Sequence, residues 1–144
     1  MKFEDVIDMM LVLMEDYSIS EVSDEEMMLE AGIRMNMAIS RAQFEDLTFD
    51  LETQTLSRDL TVMEATILSY GLLMLWLSPK ANNSEVLATQ LSSKEVTQFS
   101  NANRIQATIS LYKLAKTEFY QMLIDYDSAK EKARIKELLE EEDK

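Results

Sequence analysis

The sequence predicts an all-α protein, and three observations support that fold class. Only two glycines and one proline occur among the 144 residues, whereas strand-and-turn architectures use them at most corners. Hydrophobic residues make up 47% of the chain, enough to bury a core at this length. Apolar side chains recur every three or four residues, the spacing of one helix face. We therefore predict a compact helical domain around a central buried helix, with a long C-terminal helix and a protruding charged arm.

The central helix is predicted within Leu60–Pro79. Thr61 and Glu64 have the spacing of a capping box, in which a hydroxyl and a carboxylate each accept a hydrogen bond from an unpaired backbone N–H. Nearly every following position is apolar, which indicates a helix buried on most of its circumference. Because the residue before a proline disfavours the α conformation, we expect this helix to end at Ser78 and a loop to follow at 80–84.

Two helices are predicted before the central one. The first covers Phe3–Tyr17, and the second runs from a capping box at Ser23 and Glu26 to about Ala42. The inward positions of the first are Phe3, Val6, Ile7, Met10, Met14 and Tyr17. Those of the second are Met28, Ile39 and either Ile33 or Met35. Gly32 lies inside the second helix, where it weakens the helix or lets a neighbour approach closely.

The segment between the second and the central helix has a different pattern. Leu47, Phe49 and Leu51 alternate with polar residues, which is the period of a strand. A short extended segment near 46–57 is therefore a possible exception to the helical fold.

The C-terminal half is predicted to contain the longest helix. A short helix at 85–91 and a capping box at Ser92 and Glu95 precede it, and it begins near Ser100. Its inward stripe is Ile105, Ile109, Tyr112, Phe119, Leu123 and Tyr126. We divide the chain into a helical domain, residues 1–127, and a charged helical arm, residues 128–144.

The arm carries three apolar residues without an evident partner in the chain: Ile135, Leu138 and Leu139. One interpretation is an amphipathic arm that docks on a neighbouring subunit as a helix in a groove. The other is a solvated helix end that frays.

The composition argues against an enzyme. The chain has no histidine and no cysteine, which removes the commonest general base and most transition-metal ligands. The two glycines are isolated, so no phosphate-binding loop is present. We predict no catalytic, cofactor-binding or metal-binding residue and no cofactor. A metal site built from carboxylates alone is a weaker alternative for function.

The net charge restricts the partners. With 27 acids and 14 bases the formal charge is −13, which disfavours tight binding to nucleic acid or to an anionic membrane surface. An acidic channel wall would, however, let a duplex pass without adhering to it. The N-terminus lacks the basic start of a signal peptide, so we expect a soluble protein without a secretion signal.

Methionine is unusually frequent, with eleven residues, many of them before residue 38. Methionine fills irregular gaps in cores, and that is the favoured interpretation. Methionine-rich faces also adapt to partner helices. In that second interpretation Met9, Met27 and Met37 belong to a binding surface.

The central segment also carries a resemblance. The motif is Leu60-Thr61-x-x-Glu64-x-x-Ile67-Leu68-x-x-Gly71, followed by Leu75-Trp76-Leu77-x-Pro79. It continues in Asn82-Asn83, Gln90, Lys94-Glu95, Phe99-Ser100-x-Ala102-Asn103 and Tyr126. Over roughly 49–127, the chain resembles head–tail connector (neck) structural proteins of tailed bacteriophages.

The resemblance implies a virion structural protein, made in the host cytoplasm and located in the neck. It would be one subunit of a homo-oligomeric ring that joins the portal protein to tail and neck proteins. The ring would line the DNA channel, and DNA would pass without specific binding. No catalytic residue is implied. The alternative from another class is a cytosolic helical adaptor or regulator that binds a partner helix through the methionine-rich face.

Overall fold

A computed structural model describes residues 1–17, 23–90 and 99–142 of the chain. Its elements are α1 (Phe3–Asp16), α2 (Asp24–Ala42), β1 (Phe49–Asp50), β2 (Thr55–Leu56), α3 (Val62–Gln90) and α4 (Phe99–Glu142). The strands form one small antiparallel hairpin in which Phe49 pairs with Leu56. The all-α fold class and the short extended segment within 46–57 are therefore confirmed.

The central helix, α3, packs against α1, α2 and α4. Its fully buried side chains include Ile67, Leu68, Leu72, Leu73 and Leu77. The predicted capping box is present at its start. The Glu64 N–H donates to Thr61 Oγ1 at 3.2 Å, and the Thr61 N–H donates to Glu64 Oε1 at 3.0 Å. This helix is the core of the domain, as its composition predicted.

The predicted end of α3 at Ser78 is wrong, because the helix continues through Pro79 to Gln90. A proline lacks a backbone N–H and therefore removes one intrahelical hydrogen bond. Contacts on both sides of it offset that loss. Ala81 is buried beyond the proline, and Lys80 Nζ lies 4.6 Å from the centre of the Trp76 ring. The predicted loop at 80–84 is consequently helical, and the capping box at 92–95 lies outside the described residues.

The inward faces of α1 and α2 agree with the periodicity at most positions. Phe3, Val6, Ile7, Met10 and Met14 are buried on α1. On α2, Met35 and Ile39 are buried, whereas Ile33 is 59% exposed. Residues two apart on a helix point about 200° apart, so only one of Ile33 and Met35 can face the core.

The hairpin lies against α2. Asn36 Nδ2 donates to the Phe49 carbonyl at 3.2 Å, and the Phe49 N–H donates to Asn36 Oδ1 at 3.3 Å. A Cβ on Gly32 would lie 3.2 Å from Leu51 Cδ1, so the glycine does allow a close approach. The Phe49 ring also contacts Phe3 of α1, with centroids 4.7 Å apart.

Helix α4 is the longest, as predicted, with 44 residues. Its fully buried residues are Leu111, Ala115 and Phe119. From Asp127 to Glu141 every residue is exposed. One helix thus serves both as a wall of the core and as an arm beyond it.

Among the described residues, the Val62–Asn83 part of α3 is long and apolar enough to cross a membrane, by length and composition only. However, 61% of its most apolar window is buried inside the domain. The core helix of a globular domain has these same properties.

Candidate interaction surfaces

The most buried charge among the described residues is Glu64, at the start of α3, with 2% exposure. Arg58 binds it in a bidentate arrangement, with Nη1 and Nη2 at 2.9 and 2.7 Å from the two carboxylate oxygens. The Tyr126 hydroxyl donates to Glu64 Oε2 at 3.1 Å. Arg58 also contacts both oxygens of Asp46, at 3.0 and 3.1 Å. The cluster thus joins the segments on the two sides of the hairpin, which carry Asp46 and Arg58, to α3 and α4.

These contacts change the ionisation of each partner. The hydrogen bonds from Arg58, opposed by burial, lower the pKa of Glu64 from its ordinary 4.5 to about 2. The hydrogen bond from Arg58 also lowers the pKa of Asp46, and the pKa of Arg58 is raised by its bonds to Glu64 and Asp46. Burial, together with the Glu64 charge, raises the pKa of the Tyr126 hydroxyl. All four groups therefore keep their usual charge near neutral pH.

The arrangement joins distant parts of the fold through paired polar groups. Across the described residues, every buried side-chain nitrogen or oxygen has a hydrogen-bond partner. In the same part of the chain, no group of three or more acids is arranged to hold a metal ion. The exposed apolar surfaces of the domain and the arm are further candidates for function.

The first surface is the arm. Its predicted interface residues Ile135, Leu138 and Leu139 are 48%, 53% and 58% exposed. Tyr120 and Ile124, also exposed, lie on the same side, since all five residues fall within about 100° of the helix circumference. The buried residues Leu111, Ala115 and Phe119 lie about half a turn away. The apolar side of the arm therefore faces away from the domain.

The second surface is a cleft of ≈ 390 Å³ between α1 and α3. Its apolar lining consists of Met9, Val12, Leu13 and Tyr70, and its polar lining includes Asp8. Val12 is exposed, and Met9 and Leu13 are partly buried. We call this surface the α1–α3 groove.

The third surface is a stripe on α2, formed by Leu29, Ile33 and Met37 at intervals of four residues. All three are more than half exposed. We call it the α2 stripe. Its apolar residues have no covering element in the described part of the chain.

The predicted methionine-rich surface is only partly formed. Met27 is fully buried in the core of the domain, so its assignment to an exposed interface is wrong. Met9 belongs to the α1–α3 groove, whereas Met37 belongs to the α2 stripe. The fully or nearly fully buried methionines are Met10, Met14, Met27, Met35 and Met74. Core filling, the favoured interpretation, is confirmed for these five.

Sequence reasoning missed two contributors to these features. Arg58 was not singled out, although a carboxylate on a helix buried all round needs a counter-charge and Arg58 is the base immediately before the helix. The groove was also missed, because its walls come from α1 and α3, which are far apart in the chain. Only the exposed position of Val12, off the inward stripe of α1, gave a local signal.

The chain was compared with protein-family models, curated proteins and solved structures, and none of them matches it. The resemblance to connector proteins therefore rests on its sequence motif alone. Within the Leu60–Pro79 part of the motif, seven of the ten residues are buried: Leu60, Glu64, Ile67, Leu68, Gly71, Trp76 and Leu77. This part of the motif thus coincides with the residues by which α3 packs in the core.

Proposed function

We propose that the chain is a subunit of a head–tail connector ring, a structural component of a phage-like particle. The observation that carries the proposal is the presence of two complementary features on one chain. The arm offers an exposed apolar helix side, and the α1–α3 groove offers an apolar cleft on the domain. When one copy's arm enters the next copy's groove, the contact is head-to-tail, and such contacts form a ring when the rotation between neighbouring subunits closes.

Shape and charge are compatible with that contact. An amphipathic helix docks in an apolar groove through residues three and four apart, which is the spacing of Ile135, Leu138 and Leu139. Lys132 and Lys136 flank the apolar side and can approach an acidic residue. The groove is lined by one such residue, Asp8. Opposite charges around an apolar centre favour one orientation of the docked helix.

The overall charge suits a ring through which DNA moves. At −13, a ring of such subunits repels the phosphate backbone, so a duplex can pass without binding. In this role the portal and tail proteins contact the two faces of the ring. Assembly, rather than catalysis, is then the activity to measure.

The first test changes the arm. The variant Ile135→Ser/Leu138→Ser/Leu139→Ser should remain folded, because these side chains are exposed, and should lose incorporation into particles. Quantitative mass spectrometry of purified particles measures the ratio of this chain to the major capsid protein. For the unchanged chain we expect a low and fixed ratio. Normal incorporation of the triple variant would contradict the docking role of the arm.

A matched control removes equal apolar surface elsewhere. The variant Leu29→Ser/Ile33→Ser/Met37→Ser changes three residues of similar exposure on the α2 stripe. The connector proposal expects this control to assemble normally. Particles that form without the unchanged chain would contradict the connector function altogether.

The α2 stripe is the specific observation that favours the second candidate, a helical adaptor that binds a partner helix. Exposed residues at intervals of four form a continuous line along a helix. In this case the α2-stripe variant, and not the arm variant, should lose a stoichiometric partner in affinity purification from the source cell. The two variants therefore discriminate between the two functions.

A further inference from the structure

The charges of the arm are segregated along its length. Residues 130–136 carry four bases and one acid, whereas residues 137–141 carry three acids and no base. All of these residues are exposed. Within the described part of the arm, the one ion pair joins Arg134 to Glu131 at 2.9 Å in the same helix. The arm therefore has a basic half and an acidic half, and most of these charges have no opposite charge bound to them.

The apolar residues lie where the two halves meet. Ile135 belongs to the basic half and Leu138 to the acidic half, and Leu139 follows on the same side of the helix. Tyr126 is the last residue of α4 that is even partly buried. Leu139 lies about 20 Å farther along the helix axis, at about 1.5 Å per residue. The chain's own domain does not cover this junction in the described structure.

We propose that the arm of the free protein pairs with the arm of a second copy, with the two helices antiparallel. The pair has a two-fold axis between positions 136 and 137. Ile135 of each copy then lies opposite Leu138 of the other. The apolar residues of the two arms therefore cover each other. The basic half of each arm lies along the acidic half of the other. Arg134 of one copy approaches Glu141 of the other, and this contact occurs twice by symmetry.

Charge decides the direction of the pair. In a parallel pair the two basic halves and the two acidic halves would lie side by side, and like charges at such positions repel. In the antiparallel pair every half meets its opposite. The apolar residues alone would allow either direction, so the charge pattern selects this occupant and this orientation.

The pairing is separate from the proposed ring function. A two-fold contact closes at two copies, whereas the arm-in-groove contact continues from subunit to subunit. Both use Ile135 and Leu138, so they exclude each other. The contact between the two arms involves about twelve residues per copy. A typical stable interface involves about 20–30 residues per partner, so the contact between the arms is smaller. The dimer is consequently reversible and can release the arm when a ring forms.

Sedimentation equilibrium of the full chain tests the pairing itself. We expect a monomer–dimer equilibrium that weakens with salt, because the screening length falls from about 10 Å at 0.1 M to about 3 Å at 1 M. The variant Lys132→Glu/Arg134→Glu/Lys136→Glu should be monomeric, and so should Glu137→Lys/Glu140→Lys/Glu141→Lys. An equimolar mixture of the two variants should form heterodimers. A chain that stays monomeric at every concentration, or a mixture that does not associate, would overturn the proposal.

The orientation is tested by cross-linking, since the chain has no cysteine of its own. A mixture of Arg134→Cys and Glu141→Cys chains, one carrying a mass tag, should yield the mixed disulfide. Glu131→Cys alone should not cross-link, because its two copies lie about 16 Å apart along the axis in the antiparallel pair. Efficient cross-linking of Glu131→Cys to itself would indicate a parallel pair and contradict the proposal. Neither result depends on whether the chain occurs in particles, so this proposal and the connector function fail independently.

Discussion

Gly71 of α3 lies directly against the ring of Phe119 of α4. A Cβ on residue 71 would be 2.8 Å from Phe119 Cε2 and 3.1 Å from Cδ2, closer than two carbon atoms can pack. The Phe119 side chain is fully buried. The absence of a side chain at residue 71 therefore sets how closely the two longest helices approach.

We predict that Gly71→Ala destabilises the domain. Alanine improves helix propensity by about 1 kcal/mol over glycine, but overpacking a core costs about 1–3 kcal/mol. The second effect should prevail because the obstacle is a buried ring. Urea unfolding followed by circular dichroism measures the change.

Gly32→Ala is the matched control. Its Cβ would lie 3.2 Å from Leu51 Cδ1, the end of an exposed side chain that can move. The next nearest atoms belong to the Phe49 ring, at 3.8 and 3.9 Å, which is ordinary contact. Here the gain in helix propensity should prevail, so stability should be unchanged or higher. Equal losses at both glycines would show that the contact with Phe119 is not the cause.

The second prediction concerns acid stability. The pKa of Glu64 is lowered from 4.5 to about 2 in the folded chain, so its ionised form stabilises the fold. That contribution is complete above the ordinary value and is lost as the pH falls from about 4.5 toward about 2. At about 1.4 kcal/mol per pH unit, it amounts to roughly 3 kcal/mol.

Glu64→Gln isolates this effect from the other carboxylates, whose protonation relieves the repulsion of a strongly acidic chain. The stability difference between the unchanged chain and Glu64→Gln should shrink as the pH falls across that range. Arg58→Leu provides the opposite case, because Glu64 then has a buried charge without its cation. Its stability relative to the unchanged chain should improve on acidification. A pH-independent difference for both variants would rule out the buried ion pair as the source.

The third prediction concerns Pro79. Its side chain is exposed, and it deprives the Leu75 carbonyl of its usual intrahelical donor. Pro79→Ala should restore that bond without removing core contacts, and should raise stability by about 1–3 kcal/mol. Thermal unfolding measures the gain. A destabilised variant would indicate that α3 does not continue as a regular helix past Ser78.

The fourth prediction concerns the boundary of the arm. A chain that ends at Asp127 should keep its stability within about 1 kcal/mol, because the residues removed are exposed. Among them, Lys130 lies 4.9 Å from the centre of the Tyr126 ring, and an exposed cation–π contact contributes only about 0.5–1 kcal/mol. A chain that ends at Asp125 should be less stable. It also loses Tyr126, which donates to Glu64 and whose ring contacts Phe44 at 5.2 Å between centroids. If both truncations have the same stability, the domain does not end at Tyr126.

Helix periodicity predicted much of the fold because α1 and α4 each bury one regular side. The capping box at Thr61 and Glu64 was also predicted, since both of its hydrogen bonds are local in sequence. The end of α3 was predicted wrongly at Pro79. The residue before a proline prefers an extended conformation, but the packing of α3 against three other helices stabilises the helical conformation more strongly.

The surfaces were harder to predict than the elements. The sequence indicated that Ile135, Leu138 and Leu139 have no partner within the chain, because they follow the end of the inward stripe of α4, and they are exposed; their role in an interface stays a prediction. Met27 was assigned wrongly, because composition does not distinguish a methionine that fills a gap from one that receives a partner. The groove depends on the approach of two distant helices, which sequence spacing alone does not give.

Helix α4 continues without a break from Phe119 to Glu142, a distance of about 35 Å. The buried part and the exposed part belong to one continuous helix without a hinge. The arm is therefore rigidly connected to the contact between Phe119 and Gly71. A partner that displaces the end of the arm must either bend the helix or change the orientation of Phe119 against Gly71. Binding of the arm would therefore alter the packing between α3 and α4 in the core.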